Sequence, residues 1–97
     1  MNTEWVFDSE GVCDNAYVEN SRDNTSAVRF SLVLNDEPDK VIFRSPKIPV
    51  GGRYTRIQVN EPLPEGTSKG TVIYSLLDSS DKVTGEVKAG VTVVNGR

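Results

Sequence analysis

Apolar and polar residues alternate with a period of two along much of this chain, and no stretch repeats apolar residues at helical spacing. The alternation is cleanest in AVRFSLVLN. There Val28, Phe30, Leu32 and Leu34 fall on one side and Arg29 and Ser31 on the other, predicting a strand with one face in the core and one in water. VIFR, residues 41–44, predicts a second strand paired back on it as a hairpin. The turn between them is expected over NDEPDK, 35–40, whose Asn, Asp and Pro suit turn backbones. TVIYSLLD, 71–78, puts Val72, Tyr74 and Leu76 on one face and Ile73 and Leu77 on the other, as in a central strand. In the last segment Val87, Ala89, Val91 and Val93 share a parity and are expected to face the core, with Gly85 and Gly90 as bulge or bend positions. Shorter strands near Trp5–Phe7 and Cys13–Glu19 bring the expected number to about seven.

The stretch IPVGGRYTRIQVNEPLPEG, 48–66, reads as a crossing. Pro46 and Pro49 cannot donate to a ladder, so this part belongs at a sheet edge or between sheets. Gly51-Gly52 supplies a tight turn or bulge, and the strand that follows alternates Ile57 and Val59 against Arg56 and Gln58 until Pro62, Pro64 and Gly66 end it. The fold class predicted is all-β: an Ig-like (fibronectin-III-like) antiparallel β-sandwich of about seven strands, one domain over 1–97, with residues 1–4 expected to be disordered. Strand order stays open between a meander and a Greek key, which share nearly the same turns.

Charge narrows the class of partner. The net charge is −3, but residues 1–26 carry six acids and one base, whereas the remainder carries eight acids and ten bases. A nucleic-acid binder needs a dense basic face, so no nucleic-acid partner is expected. No apolar run is long enough to span a bilayer, and MNTEWVFDSEG lacks the basic and apolar regions of a signal peptide. Either the protein works in the cytoplasm, or its export segment lies outside this sequence.

Catalytic chemistry has little to work with. Histidine is absent, which removes Ser-His-Asp and Cys-His arrangements and the usual zinc sites. Acids close in sequence (Asp36, Glu37, Asp39; Asp78, Asp81) fall in turns, where solvent keeps carboxylates ordinary, and their spacing is not that of a calcium loop. No phosphate-cradling glycine loop occurs. The lone Cys13 reads as a small buried hydrophobe. The chain is therefore expected to be no enzyme, with no catalytic residues, metal or cofactor.

The candidate binding residues are Arg44, Lys47, Arg53, Tyr54 and Arg56, a segment with four bases, a phenol and no acid that suits an anionic polymer or an acidic partner. A solvated outer face explains the same charges. Trp5, Tyr54 and Tyr74 are the rings a carbohydrate-binding face would use.

Two short elements carry a resemblance. Leu63-Pro64-Glu65-Gly66 fits an L-x-x-G strand ending, and Ile48-Pro49-Val50-Gly51 varies an I-x-P-G turn. With the apolar strand, polar turn and valine-rich last strand that follow, the chain from Ile48 to Asn95 resembles the carboxy-terminal half of small Ig-like domains from secreted or membrane-anchored proteins of Gram-positive bacteria. VENSRDNTSAVRFSLVLND extends the match more loosely. The resemblance implies an extracellular or cell-surface module, non-enzymatic, that contacts a protein or a cell-surface polymer. It is expected as a monomer or weak dimer. The alternatives are a carbohydrate-binding module or a structural subunit of a phage tail or pilus that pairs through its edges.

Overall fold

The computed structural model describes residues 1–60 and 62–95, and every regular element among them is a strand. In chain order these are β1 (Glu4–Phe7), β2 (Val12–Cys13), β3 (Val18–Glu19), β4 (Ala27–Leu34), β5 (Glu37–Arg44), β6 (Arg53–Tyr54), β7 (Ile57–Gln58), β8 (Gly66–Leu77) and β9 (Val83–Asn95). Seven of them form one mixed sheet in the order β5-β4-β8-β9-β1-β2-β7, and β3 pairs with β6 as a separate ribbon. The all-β class expected from the alternation is what the structure shows.

The backbone is built around β4 and the β8–β9 hairpin. Val28, Phe30 and Leu32 bury one face of β4, and β8 runs antiparallel to it from Gly70 to Leu77. β4 and β1 lie three strand positions apart, which in a flat sheet is about 14 Å. Yet the Trp5 and Phe30 rings meet edge to face with centroids 6.2 Å apart, so the sheet curls and its two wings close on a shared core. Phe30 is the centre of that core, with the Phe43, Tyr54 and Tyr74 rings at 5.7, 5.9 and 6.3 Å. Such ring pairs add about 0.5–1.5 kcal/mol each beyond the apolar area they bury.

The crossing segment is held by two short strand pairings, β6 with β3 and β7 with β2, and at its start by a hydrogen-bonded corner. Ile48 exchanges both backbone bonds with Val28, at 2.7 and 3.0 Å, an isolated bridge between this segment and β4. Pro49–Gly52 then closes a type II turn: Gly52 N–H donates to the Pro49 carbonyl at 2.8 Å and Gly51 takes φ +83°, a conformation that favours glycine. Asn20, fully buried, locks the turn to the loop that precedes β4. Its backbone carbonyl accepts from Gly51 N–H (2.7 Å) and its N–H donates to the Gly52 carbonyl (2.9 Å). Its side-chain amide donates to the carbonyls of Ser26 and Ile48 (2.9 and 3.0 Å), and its Oδ1 accepts from Asn24 Nδ2 at 2.7 Å. The Gly-Gly pair bracketed by prolines thus makes a hydrogen-bonded corner, and Ile57 and Val59 descend from it into the core, as their parity predicts.

Five sequence expectations need correction. The strand expected near Cys13–Glu19 is two short strands, β2 and β3, in different sheets. The turn over 35–40 shrinks to Asn35-Asp36, and Pro38 lies within β5, which is permissible because β5 is the edge strand of the sheet. β8 begins at Gly66 rather than at Thr71, because Gly66–Lys69 pairs with β9 although those residues are mostly exposed. The sheet is not wholly antiparallel, since β1 runs parallel to β9 from Glu4 opposite Thr92 to Phe7 opposite Asn95. Val87 is 54% exposed instead of buried. Its parity is that of Val91 and Val93, but β1 covers only Thr92–Asn95 of β9. The flank from Val83 to Val91 has no strand beside it among the described residues.

Candidate functional site

The basic segment of the sequence is spread over two strands and two connections. Arg44 ends β5 opposite Ser31, Lys47 lies in the crossing, Arg53 and Tyr54 form β6, and Arg56 stands between β6 and β7. Lys47 Nζ reaches 2.9 Å from Asp81 Oδ1 in the β8–β9 turn, whereas Arg56 Nε lies 3.3 Å from Asp14 Oδ1 beside β2. Both pairs are exposed, so each contributes at most about 1 kcal/mol. Among the described residues Arg44 and Arg53 have no acid at ion-pair distance, although Arg53 is opposite Glu19 in the ribbon. Tyr54 is half-buried, its ring against Phe30 and Phe43 at 5.9 and 5.8 Å. It belongs to the core more than to the basic surface.

The aromatic rings do not gather on one exposed face. Trp5 is fully buried and its indole N–H donates to Asn2 Oδ1 at 2.8 Å. Asn2 Oδ1 also accepts from Tyr17 N–H, so the segment before β1 is fastened to the one before β3. Tyr74 is half-buried, its hydroxyl 2.7 Å from Met1 Sδ, and burial pushes its phenol above the ordinary range. Cys13 is buried in β2 with its thiol 2.9 Å from Asn15 Oδ1. Burial is the main cause that holds its proton more tightly than usual.

The clefts are open and shallow. One, about 400 Å³, is lined by Asp8, Glu10, Gly11, Val59, Pro62 and Leu63. Its Asp8 carboxylate is committed locally: Oδ1 accepts from Glu10 N–H at 2.9 Å and Val12 N–H at 3.0 Å. A second cleft, about 290 Å³, lies where Lys47 meets Asp78 and Asp81. Among the described residues no three Cys, Asp or Glu side chains converge to hold a metal ion, and no helix is long and apolar enough to cross a membrane.

Sequence reasoning missed the open flank of β9. Val83 and Val87 are 55% and 54% exposed on it, with Glu86 and Lys88 exposed beside them. The only sequence signal for this feature is the mismatch in length between the valine-rich last segment and the short run around Trp5. Set against known proteins, the chain matches no family model, no curated protein and no solved structure.

Proposed function

We propose that the protein is a non-enzymatic, extracytoplasmic binding or structural module of the Ig-like sandwich type, acting through protein contacts at a sheet edge. The sandwich reading is supported by β1. This strand pairs parallel with β9 and antiparallel with β2, and it alone links the β5-β4-β8-β9 wing to β2-β7. Two layers facing each other across Phe30 and joined through β1 are the corresponding architecture. The extracytoplasmic placement rests on the resemblance to Gram-positive surface domains.

The observation that carries the contact reading is the flank of β9 from Val83 to Val91, where backbone groups and two half-exposed valines face solvent. An unpaired edge of this kind is a template for strand addition. A second contact face is favoured by Arg44 and Arg53, which are exposed and free of acidic neighbours at ion-pair distance among the described residues, and which suit an anionic polymer.

Immobilising the native domain beside two variants, Val87→Lys and the pair Arg44→Ser with Arg53→Ser, and exposing all three to a cell-surface extract of the source organism tests both faces. A partner kept by the native domain and the serine variant but lost by Val87→Lys supports the edge. Loss from the serine variant alone moves the contact to the basic segment, and equal capture by all three refutes both.

A further inference from the structure

We infer that the open flank of β9 is a self-association surface, on which a second copy of this chain pairs antiparallel about a two-fold axis at Val87. Glu86 of each copy then faces Lys88 of the other. The inference rests on the proposed reading of this flank as a contact edge and names its occupant.

Backbone direction comes first. Thr92 N–H donates to the Thr3 carbonyl at 2.7 Å, so it points away from β8 and toward the side where β1 lies. Backbone groups alternate in direction along a strand, and the β8–β9 ladder runs without a register shift from Gly85 to Asn95. The N–H and C=O groups of Gly90, Lys88 and Glu86 therefore point the same way as those of Thr92, on a stretch with no strand to receive them among the described residues.

Charge then selects the register. A symmetric antiparallel pair must be centred on one residue so that outward-pointing groups meet outward-pointing groups. Centring it on Glu86 sets two carboxylates opposite each other, and centring it on Lys88 sets two ammonium groups opposite each other; both are destabilising. Centring it on Gly85 brings Lys88 against Lys82, and centring it on Ala89 places Glu86 opposite Thr92, which already pairs with β1. Centring it on Val87 matches Glu86 with Lys88 twice. Val87 itself points its backbone to β8, so the two Val87 residues meet as a non-hydrogen-bonded pair, with Cα atoms about 4.5 Å apart. That contact buries side chains which are 54% exposed in the single chain.

The β5 edge is built differently. β5 carries Pro38, which has no N–H to donate, flanked by Glu37 and Asp39, and its ladder with β4 shifts register twice. These are devices that block strand addition. The β9 flank contains no proline, and its irregularity is confined to the shift beside Val83, which ends the regular stretch at Gly85. Such a short ladder makes a weak dimer.

The test is sedimentation equilibrium of the full chain, at low salt and up to about 1 mM, a range that reads dissociation constants to the millimolar level. Native protein, Glu86→Lys, Lys88→Glu and the double exchange are compared, with Trp5 fluorescence verifying that each is folded. Each single variant sets like charges together twice, and its dissociation constant is expected to rise about tenfold or more; the double exchange should restore the native value. Single variants that dimerise like the native chain, or a double exchange that fails to restore dimerisation, overturn the register. A native chain that stays monomeric throughout overturns self-association. In that case capture of another protein, lost on Val87→Lys, would leave the edge reading standing without the second copy.

Discussion

Replacing Asn20 by alanine removes three side-chain hydrogen bonds from a residue that is 1% exposed, those to Ser26, Ile48 and Asn24. At about 1 kcal/mol net for each, the loss is about 3 kcal/mol, a large part of the 5–15 kcal/mol that holds a typical domain. With a urea slope near 1–1.5 kcal/mol/M the unfolding midpoint should fall by about 2–3 M. Trp5, the only tryptophan and fully buried, reports the transition by fluorescence. Asn20→Asp is the sharper variant because it keeps the volume. Its carboxylate has no N–H to offer and sets oxygen against two carbonyl oxygens that now lie 2.9 and 3.0 Å from Nδ2. At pH 7 it should be destabilised at least as much as Asn20→Ala, since an unpaired buried charge costs more than a lost neutral bond. An Asn20→Asp protein within about 1 kcal/mol of native would show that shape, not donation, holds the corner.

Two turns share one design, which makes a paired prediction. In 8–12 and in 78–82 an aspartate Oδ1 accepts from the N–H groups two and four residues on, and the fourth residue has positive φ: Gly11 at +80° and Asp81 at +63°. Asp81→Gly relieves backbone strain and loses an exposed ion pair, so its unfolding free energy from urea titration should stay within about 1 kcal/mol of native, on the stabilising side. Gly11→Ala should cost about 3 kcal/mol or more, because its Cβ would lie 2.5 Å from the Val59 carbonyl oxygen; equal effects at the two positions would refute the shared design. Burial raises the Cys13 thiol, so the folded chain binds that proton more tightly than the unfolded one. This contribution is intact below about pH 8.5 and fades as pH rises beyond it. The urea midpoint should therefore drop between pH 8 and 9.5 more for the native chain than for Cys13→Ala, and an equal drop would refute the assignment. Alkylation of Cys13 at pH 8 should run at least about a hundredfold slower than in urea, as the thiol is reached only by opening; comparable rates in the two conditions would place it at the surface.

How much of this was legible in the residues depends on where burial supplied the signal. β4 could be read because Val28, Phe30 and Leu32 alternate with the partly exposed Arg29 and Ser31, although Val33 on that second face is buried too, and the descent of Ile57 and Val59 could be read from the same alternation. Gly66–Lys69 could not, since backbone pairing rather than burial holds those residues in β8. Pro38 misled because proline marks both turns and edge strands, and composition does not separate them. Tyr54 looked like part of a basic surface since its neighbours in sequence are Arg53 and Arg56, whereas its neighbours in space are Phe30 and Phe43. Parity gave Val87 the correct face, but whether that face is covered depends on β1, more than 80 residues away in sequence.

The parallel pairing of β1 with β9 also sets an order of events during synthesis. Glu4 finds its partner at Thr92, so the strand made early has no ladder to join on that side until nearly the whole domain has been translated. At roughly 5–20 residues per second the wait lasts several seconds. Throughout it Trp5 and Phe7 lack the β9 neighbour beside which they end up buried. Pairing across so long a loop comes late and slowly. The β4–β5 and β8–β9 hairpins, by contrast, are local and can form as they emerge. Closure of the curl by β1 is thus expected late in folding, and until then a newly made chain carries an unsatisfied strand that a neighbouring copy with an open edge can capture.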